Sequence, residues 1–231
     1  MLPKKHLNFN HKLKNMKLKL TSLLVALGLL TNAASAGNSV KIGYGSDFFY
    51  RGSQKAEESI QSSLMLSHAI SNLSASAHLC SNQAIDSGLD SYHMGAGLGA
   101  SFSDGLISLY GGLNRFEDKP GETLSEAEIK LSLGVPFSPS FSAYRDLSDD
   151  LYTFEAGVSY VLETSISDLA LSGSVGNTET SATSDTTYYS VGAGVSKNLN
   201  DTASVGLNVD YVDADNIDNE YVWGAAITLK F

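Results

Sequence analysis

The sequence predicts an all-β fold: a closed antiparallel up-and-down transmembrane β-barrel of about twelve strands. Three observations carry this reading. Apolar residues recur at every second position in block after block, the period of a strand with two different faces. Aromatic residues bracket several blocks ten residues apart, as Tyr92 and Phe102 or Tyr221 and Phe231 do. The last residue, Phe231, closes an amphipathic segment.

Composition narrows the alternatives. With 15 Lys+Arg against 25 Asp+Glu, the chain is a poor match to nucleic acid. No apolar run reaches the roughly 18 residues that a spanning helix needs. A single cysteine, Cys80, supplies no intrachain disulfide framework.

Residues 1–36 read as a secretory signal peptide, with residues 37–231 as the barrel domain. Six lysines and no acid precede or enter the apolar stretch Leu20–Leu30, and Ala34-Ser35-Ala36 offers small residues for cleavage before Gly37. Six of the 15 basic residues and none of the 25 acidic ones lie in this leader, so the remaining chain carries a net charge of −16.

The strands follow in order. The first block is Val40, Ile42, Tyr44, Phe48 and Tyr50; the second runs from Ile60 to Ile70 and the third from Leu73 to Leu79. Next come Tyr92 to Phe102, Ile107 to Leu113 and Ala127 to Val135. A weaker segment, Phe141 to Asp146, precedes Tyr152 to Leu162, Leu169 to Val175 and Tyr189 to Val195. Ala203 to Tyr211 and Tyr221 to Phe231 complete twelve; ten is the count if the weak segment and a neighbour do not span. Pro136 and Pro139 sit at a turn and Pro120 in a loop, so no proline interrupts a predicted ladder.

The intervening positions are polar or tiny, for example Glu126, Glu128, Lys130 and Ser132. Alternation alone fits either a soluble sandwich or a membrane barrel with an apolar outer band and a polar interior. The aromatic spacing favours the barrel, because ten residues at about 3.3 Å each and tilted near 40° rise roughly 25 Å, the height of a lipid band between its girdles. Tyr92, Phe102, Tyr160, Tyr221 and Trp223 are the expected girdle. Connections also alternate: Ser71-Asn72, Ser103 to Gly105 and Lys197 to Asp201 read as tight turns. Arg51 to Glu58, Ser81 to Asp90, Glu117 to Ser125, Asn177 to Thr187 and Asp213 to Asn219 read as longer outer loops. Phe231 is the expected assembly signal for the barrel-assembly machinery.

The segment Ser46-Asp47-Phe48-Phe49-Tyr50-Arg51-Gly52-Ser53-Gln54 resembles the S-D-Y-x-[FWY]-R-G-x-[ST]-Q signature of the TorF-type putative porins, with Phe48 where that family usually has Tyr. Ala127-Glu128-Ile129 with Gly134, and Ala143-Tyr144-Arg145-Asp146 before Leu151 to Glu155, look like the same family's middle section. The likeness covers most of the mature chain loosely, and the Arg51-Gly52 motif is its specific part. It implies a small outer-membrane barrel with a diffusion role.

Lys41, Asp47, Arg51, Glu126, Glu128, Lys130, Glu155, Asp210, Glu220 and Lys230 are expected on the inner face, six acids to four bases. Twelve strands lie between the filled eight-stranded barrel and the open sixteen-stranded one. The expectation is a bacterial outer-membrane barrel whose narrow acidic lumen passes small solutes and prefers cations. The alternative is a non-conducting structural or receptor barrel whose charges pair across the lumen, Asp47 and Arg51 sharing one strand face. Expected partners are outer-membrane lipid and lipopolysaccharide, the assembly machinery and small solutes. No cofactor or metal is expected. His78, Cys80 and His93 share the inner face and read as polar filling, and Asp213, Asp215, Asp218 and Glu220 as a solvated acidic loop that divalent ions bridge to lipopolysaccharide. An enzyme is not expected: an outer-membrane phospholipase needs Ser and His facing lipid near the outer rim, and the one outward histidine, His68, lies beside the Ser71-Asn72 turn at the opposite end.

Overall fold

The computed structural model describes residues 37–231 apart from 52, 86–89, 119–120, 182 and 216. The expected leader, Gly52 of the arginine-glycine motif and Pro120 lie outside the described residues. The strands are β1 (Ser39–Gly45), β2 (Phe48–Tyr50), β3 (Ser53–Ala56), β4 (Ser59–Ile70), β5 (Leu73–Ala84), β6 (Ser91–Phe102) and β7 (Ile107–Asp118). They continue with β8 (Glu122–Leu133), β9 (Ser140–Asp146), β10 (Tyr152–Glu163), β11 (Asp168–Ser181), β12 (Ser184–Asn200), β13 (Ala203–Ala214) and β14 (Ile217–Lys230).

Twelve of these close one antiparallel barrel, in which β4 to β14 pair with their sequence neighbours and β1 bridges β4 and β14. Closure follows from the apolar outer face, because hydrocarbon offers no partner to an unpaired strand edge. The weak segment is β9, paired on both sides through Asp146↔Glu126 and Tyr144↔Thr153, so the count is twelve and not ten. The burial is inverted relative to a water-soluble domain. Leu98, Leu113 and Ile129 on the outer face are 69%, 60% and 62% exposed, whereas Glu126 on the inner face is 3% exposed. A continuous apolar exterior of this kind is stable where the surroundings are themselves apolar.

Two expectations need correction. The first strand does not run to Tyr50: β1 ends at Gly45, and β2 and β3 form a separate two-stranded sheet. The even-numbered apolar positions continue through Phe48 and Tyr50, but Ser46 and Asp47 interrupt the stripe, and the chain leaves the wall there. The connections also do not divide into short and long sets. β7 reaches Asp118 and β8 begins at Glu122; β11 reaches Ser181 and β12 begins at Ser184; β13 and β14 absorb most of Asp213 to Asn219. Above a lipid band both faces of a strand meet water, so its alternation fades while its backbone ladder continues.

Aromatic side chains on the outer face fall near the two ends of the strands. Tyr189, Tyr211 and Tyr221 form a ladder with centroids 6.1 and 5.2 Å apart, and Tyr44 lies 5.2 Å from Trp223. At the end that carries Ser39 and Lys230, Tyr160 contacts Phe137 at 5.3 Å, with Phe102 on the outer parity of β6. Tyr92 stands on that same parity at the other end of β6.

Candidate functional site

The site begins where the chain leaves the wall. Ser46 makes the last ladder contacts: its N–H donates to the Trp223 carbonyl at 2.9 Å, and its Oγ accepts from the Trp223 N–H at 3.1 Å. Gly45 and Ser59 are cross-strand partners, so everything between them is an excursion from two adjacent strands. Within it β2 and β3 pair as a tight hairpin, Phe49↔Gln54 and Tyr50↔Ser53, with Arg51 at φ 51° in the turn. Such a left-handed conformation is uncommon for a residue with a side chain and marks a constrained tip.

The hairpin folds inward and docks on the β6–β9 side of the lumen. The Tyr50 ring lies 4.0 Å from Phe116, which stacks in turn on His93 at 3.8 Å. Tyr50 Oη donates to Glu126 Oε2 at 2.9 Å, and Arg51 Nη1 forms an ion pair with Glu126 Oε1. The Arg51 guanidinium carbon sits 3.5 Å from the centroid of Tyr144 and 4.5 Å from that of Tyr50. Lys55 Nζ donates to Asp118 Oδ2 at 2.9 Å. Both members of the Arg51–Glu126 pair are buried, and a buried pair is costly to break one partner at a time. Burial pushes the Tyr50 phenol far above its ordinary value; the Arg51 charge opposes that shift and the Glu126 charge adds to it.

On the opposite side a cavity of about 400 Å³ remains between the hairpin and the β10–β14 wall. Its lining includes Asp47, Phe48, Tyr144, Glu155, Tyr188 and Asp210. Glu155 accepts from Tyr188 Oη at 2.8 Å, Asp210 from Asn208 Nδ2 at 2.8 Å, and Asp47 from Gln54 Nε2 at 2.8 Å. Close approach explains two glycines here. A Cβ at Gly176 would overlap the Tyr188 ring, and one at Gly192 would overlap the Asp210 carboxylate.

The strand register places Lys41, Glu126, Glu128, Lys130, Glu155, Asp210, Glu220 and Lys230 on the parity that faces the lumen. Asp47 and Arg51 depart from expectation, lying on the excursion rather than on a shared wall strand. Glu128 accepts from Asn114 Nδ2 at 3.0 Å. His78 and His93 face each other, Nε2 to Nε2, at 3.1 Å, with Cys80 the register partner of His93. Among the described residues no group of three or more His, Cys, Asp or Glu is placed to hold a metal ion. The expected acidic loop is largely strand: Asp213, on β13, accepts from Tyr189 Oη at 2.5 Å and from Tyr211 Oη at 3.2 Å.

Sequence reasoning missed Phe116, Tyr144, Tyr188, Lys55 and Asp118. A signal was present for three of these, since Phe116, Tyr144 and Tyr188 are aromatic rings on the polar parity of their strands.

No family model and no curated protein matches the sequence. Solved structures do match. The KdgM porin aligns with a TM-score of 0.57 at 10% identity over 84% of this chain and 99% of its own. The NanC porin aligns with a TM-score of 0.56 at 14% identity over 84% of this chain and 100% of its own. An outer membrane channel from Pseudomonas putida F1 aligns with a TM-score of 0.59 at 11% identity over 86% of this chain and 97% of its own. At these identities the likeness is one of fold: the chain has the architecture of porin-like outer-membrane barrels.

Proposed function

We propose that this chain is a porin-like barrel of the bacterial outer membrane, which passes small solutes through a lumen narrowed by its own hairpin and prefers cations. The observation that carries the reading is the asymmetric lumen. The hairpin occupies the β6–β9 side and leaves a polar cavity of about 400 Å³ on the other, where Asp47, Glu155 and Asp210 have no ion-pair partner among the described residues. Carboxylates along a narrow aqueous path lower the entry barrier for positive charge and raise it for negative charge. In this reading Glu126, Glu128, Lys130 and Glu220 tune selectivity with those three, and Arg51 sets the constriction. The shared fold supports the pore class.

The fold neighbour KdgM is also described in complex with oligogalacturonate, a polyanion. Uncompensated carboxylates oppose a polyanion, so that cargo is not carried over to this chain. The remaining parts of the reading follow the expected outer-membrane location: a leader over residues 1–36, aromatic girdles at the lipid interfaces, outer acids bridged to lipopolysaccharide, and Phe231 read by the assembly machinery.

A second reading, a non-conducting barrel acting through its outer surface, is favoured by the buried Arg51–Glu126 pair that holds the hairpin in place. Single-channel conductance of the purified protein in a planar bilayer, with reversal potential under a KCl gradient, separates the two. Discrete steps with cation preference are expected. Stable insertion with no conductance would establish the second reading.

A further inference from the structure

We infer that the lumen is a binding site for small organic cations carrying guanidinium or ammonium groups, and that Arg51 occupies the deepest part of that site from within the chain. The inference rests on the pore reading and names its cargo. The fold already holds one guanidinium. Glu126 and Tyr144, from β8 and β9, present a buried carboxylate and a ring face to one guanidinium, which reaches them on a hairpin that is not part of the wall. A carboxylate beside aromatic faces is the arrangement that recognises organic cations, through charge and through the ring quadrupole together.

The same chemistry continues into the cavity. Tyr144 and Arg51 line it, and Asp47, Glu155 and Asp210 surround it from three directions: the hairpin base and two strands three apart in a twelve-stranded wall. Each of these carboxylates spends one oxygen on a neutral donor and forms no ion pair among the described residues, and its other oxygen keeps acceptor capacity. Phe48, Phe49 and Tyr188 add ring surface to the lining. A cavity of about 400 Å³ lies within the size range of small-ligand sites. Acids on different walls suit a ligand with a cationic group at each end. A hydrated inorganic cation makes poor use of the rings, and an anionic or neutral solute leaves the carboxylates uncompensated.

The test uses agmatine, a guanidinium and an ammonium joined by a short alkyl chain, titrated calorimetrically into the purified full-length protein in detergent and added to KCl currents in bilayers. Glutamate and glucose are the controls. Saturable agmatine binding is expected, without binding of either control. A Glu155→Gln, Asp210→Asn double variant should weaken it by about tenfold or more, the loss of favourable charge pairing. Arg51→Ala should still bind agmatine, because the vacated Glu126–Tyr144 site then accepts the probe's guanidinium while the hairpin's own share of the lining loosens. Heat-shifted gel mobility checks that each variant retains the barrel. Absence of agmatine binding in both the parent and Arg51→Ala overturns the inference even if the pore conducts. So does binding that the double variant leaves unchanged, or equal binding of glutamate. Binding without conductance supports the site and removes the pore reading.

Discussion

The wall of the barrel is held by backbone: β6 and β7, for instance, pair without a break from Ser91↔Asp118 to Phe102↔Ile107. The hairpin inside the wall has three register pairs of its own and, among the described residues, no backbone hydrogen bond from residues 47–56 to any barrel strand. Its hold on the wall is one buried ion pair, a second ion pair at Lys55, one phenol hydrogen bond and the rings around them. A backbone ladder spreads its hold over many main-chain hydrogen bonds, whereas a side-chain dock depends on a few residues. The frame and the obstruction it contains are therefore separable, by mutation and by pH.

Removing the hairpin should have the largest effect. Because Gly45 and Ser59 are direct partners, residues 46–58 can be replaced by a two-residue Asn-Gly turn. The shortened protein should keep its strand circular dichroism and heat-shifted mobility while its conductance rises several-fold. Unchanged conductance would show that the hairpin does not narrow the path. Next in size is Glu126→Gln, which leaves Arg51 buried beside a neutral amide and should weaken docking by about 3–5 kcal/mol. Hydrogen exchange should then speed up in residues 47–56 and stay slow in the ladders. Slowing or parity in the hairpin would contradict the side-chain dock.

Leu113→Arg tests the wall in isolation. Placed on the outer face of β7, the charge should cost about 2–4 kcal/mol in urea unfolding from lipid vesicles, with hairpin exchange unaffected. The smallest effect belongs to Tyr50. Its folded pKa is raised, so its contribution to docking is full below its ordinary value of 10.0 and declines as pH climbs beyond it, the released hairpin losing the proton first. Conductance should increase above that pH in the parent. Tyr50→Phe, which lacks the proton and about 1.5–3 kcal/mol of hydrogen bond to a carboxylate, should start higher and show no such rise.

The strand count and the facing of most wall residues were legible because a period of two is a local property. Glu128, Lys130 and Glu155 take their direction from their neighbours alone. Even the weak β9 announced itself through Phe141, Ala143 and their polar alternates. The hairpin was not legible for the same reason. Phe48 and Tyr50 keep the parity of Val40 and Ile42, and no local pattern says that the chain has left one sheet for another. The Arg51–Glu126 pair joins residues 75 apart in sequence and depends on closure of the whole barrel. Loop lengths are not legible in the sequence because polar strand ends such as Asn177 to Thr187 lack alternation while still pairing, through Asn177↔Thr187 itself.

The seam where the barrel closes has a consequence for how the chain could be rewired. The Phe231 N–H donates to the Asn38 carbonyl at 3.1 Å, so the two ends of the closed sheet already touch. A circular permutant joining Phe231 to Asn38 through a short linker, and opened at the Ser71-Asn72 turn, would retain every ladder pair of the wall. It would also place the aromatic residue in mid-chain. Such a protein separates two roles that point substitution confounds: folding of the permutant in detergent reports what Phe231 does for the closed sheet, and its yield in the outer membrane reports whether a terminal aromatic strand is read as an address.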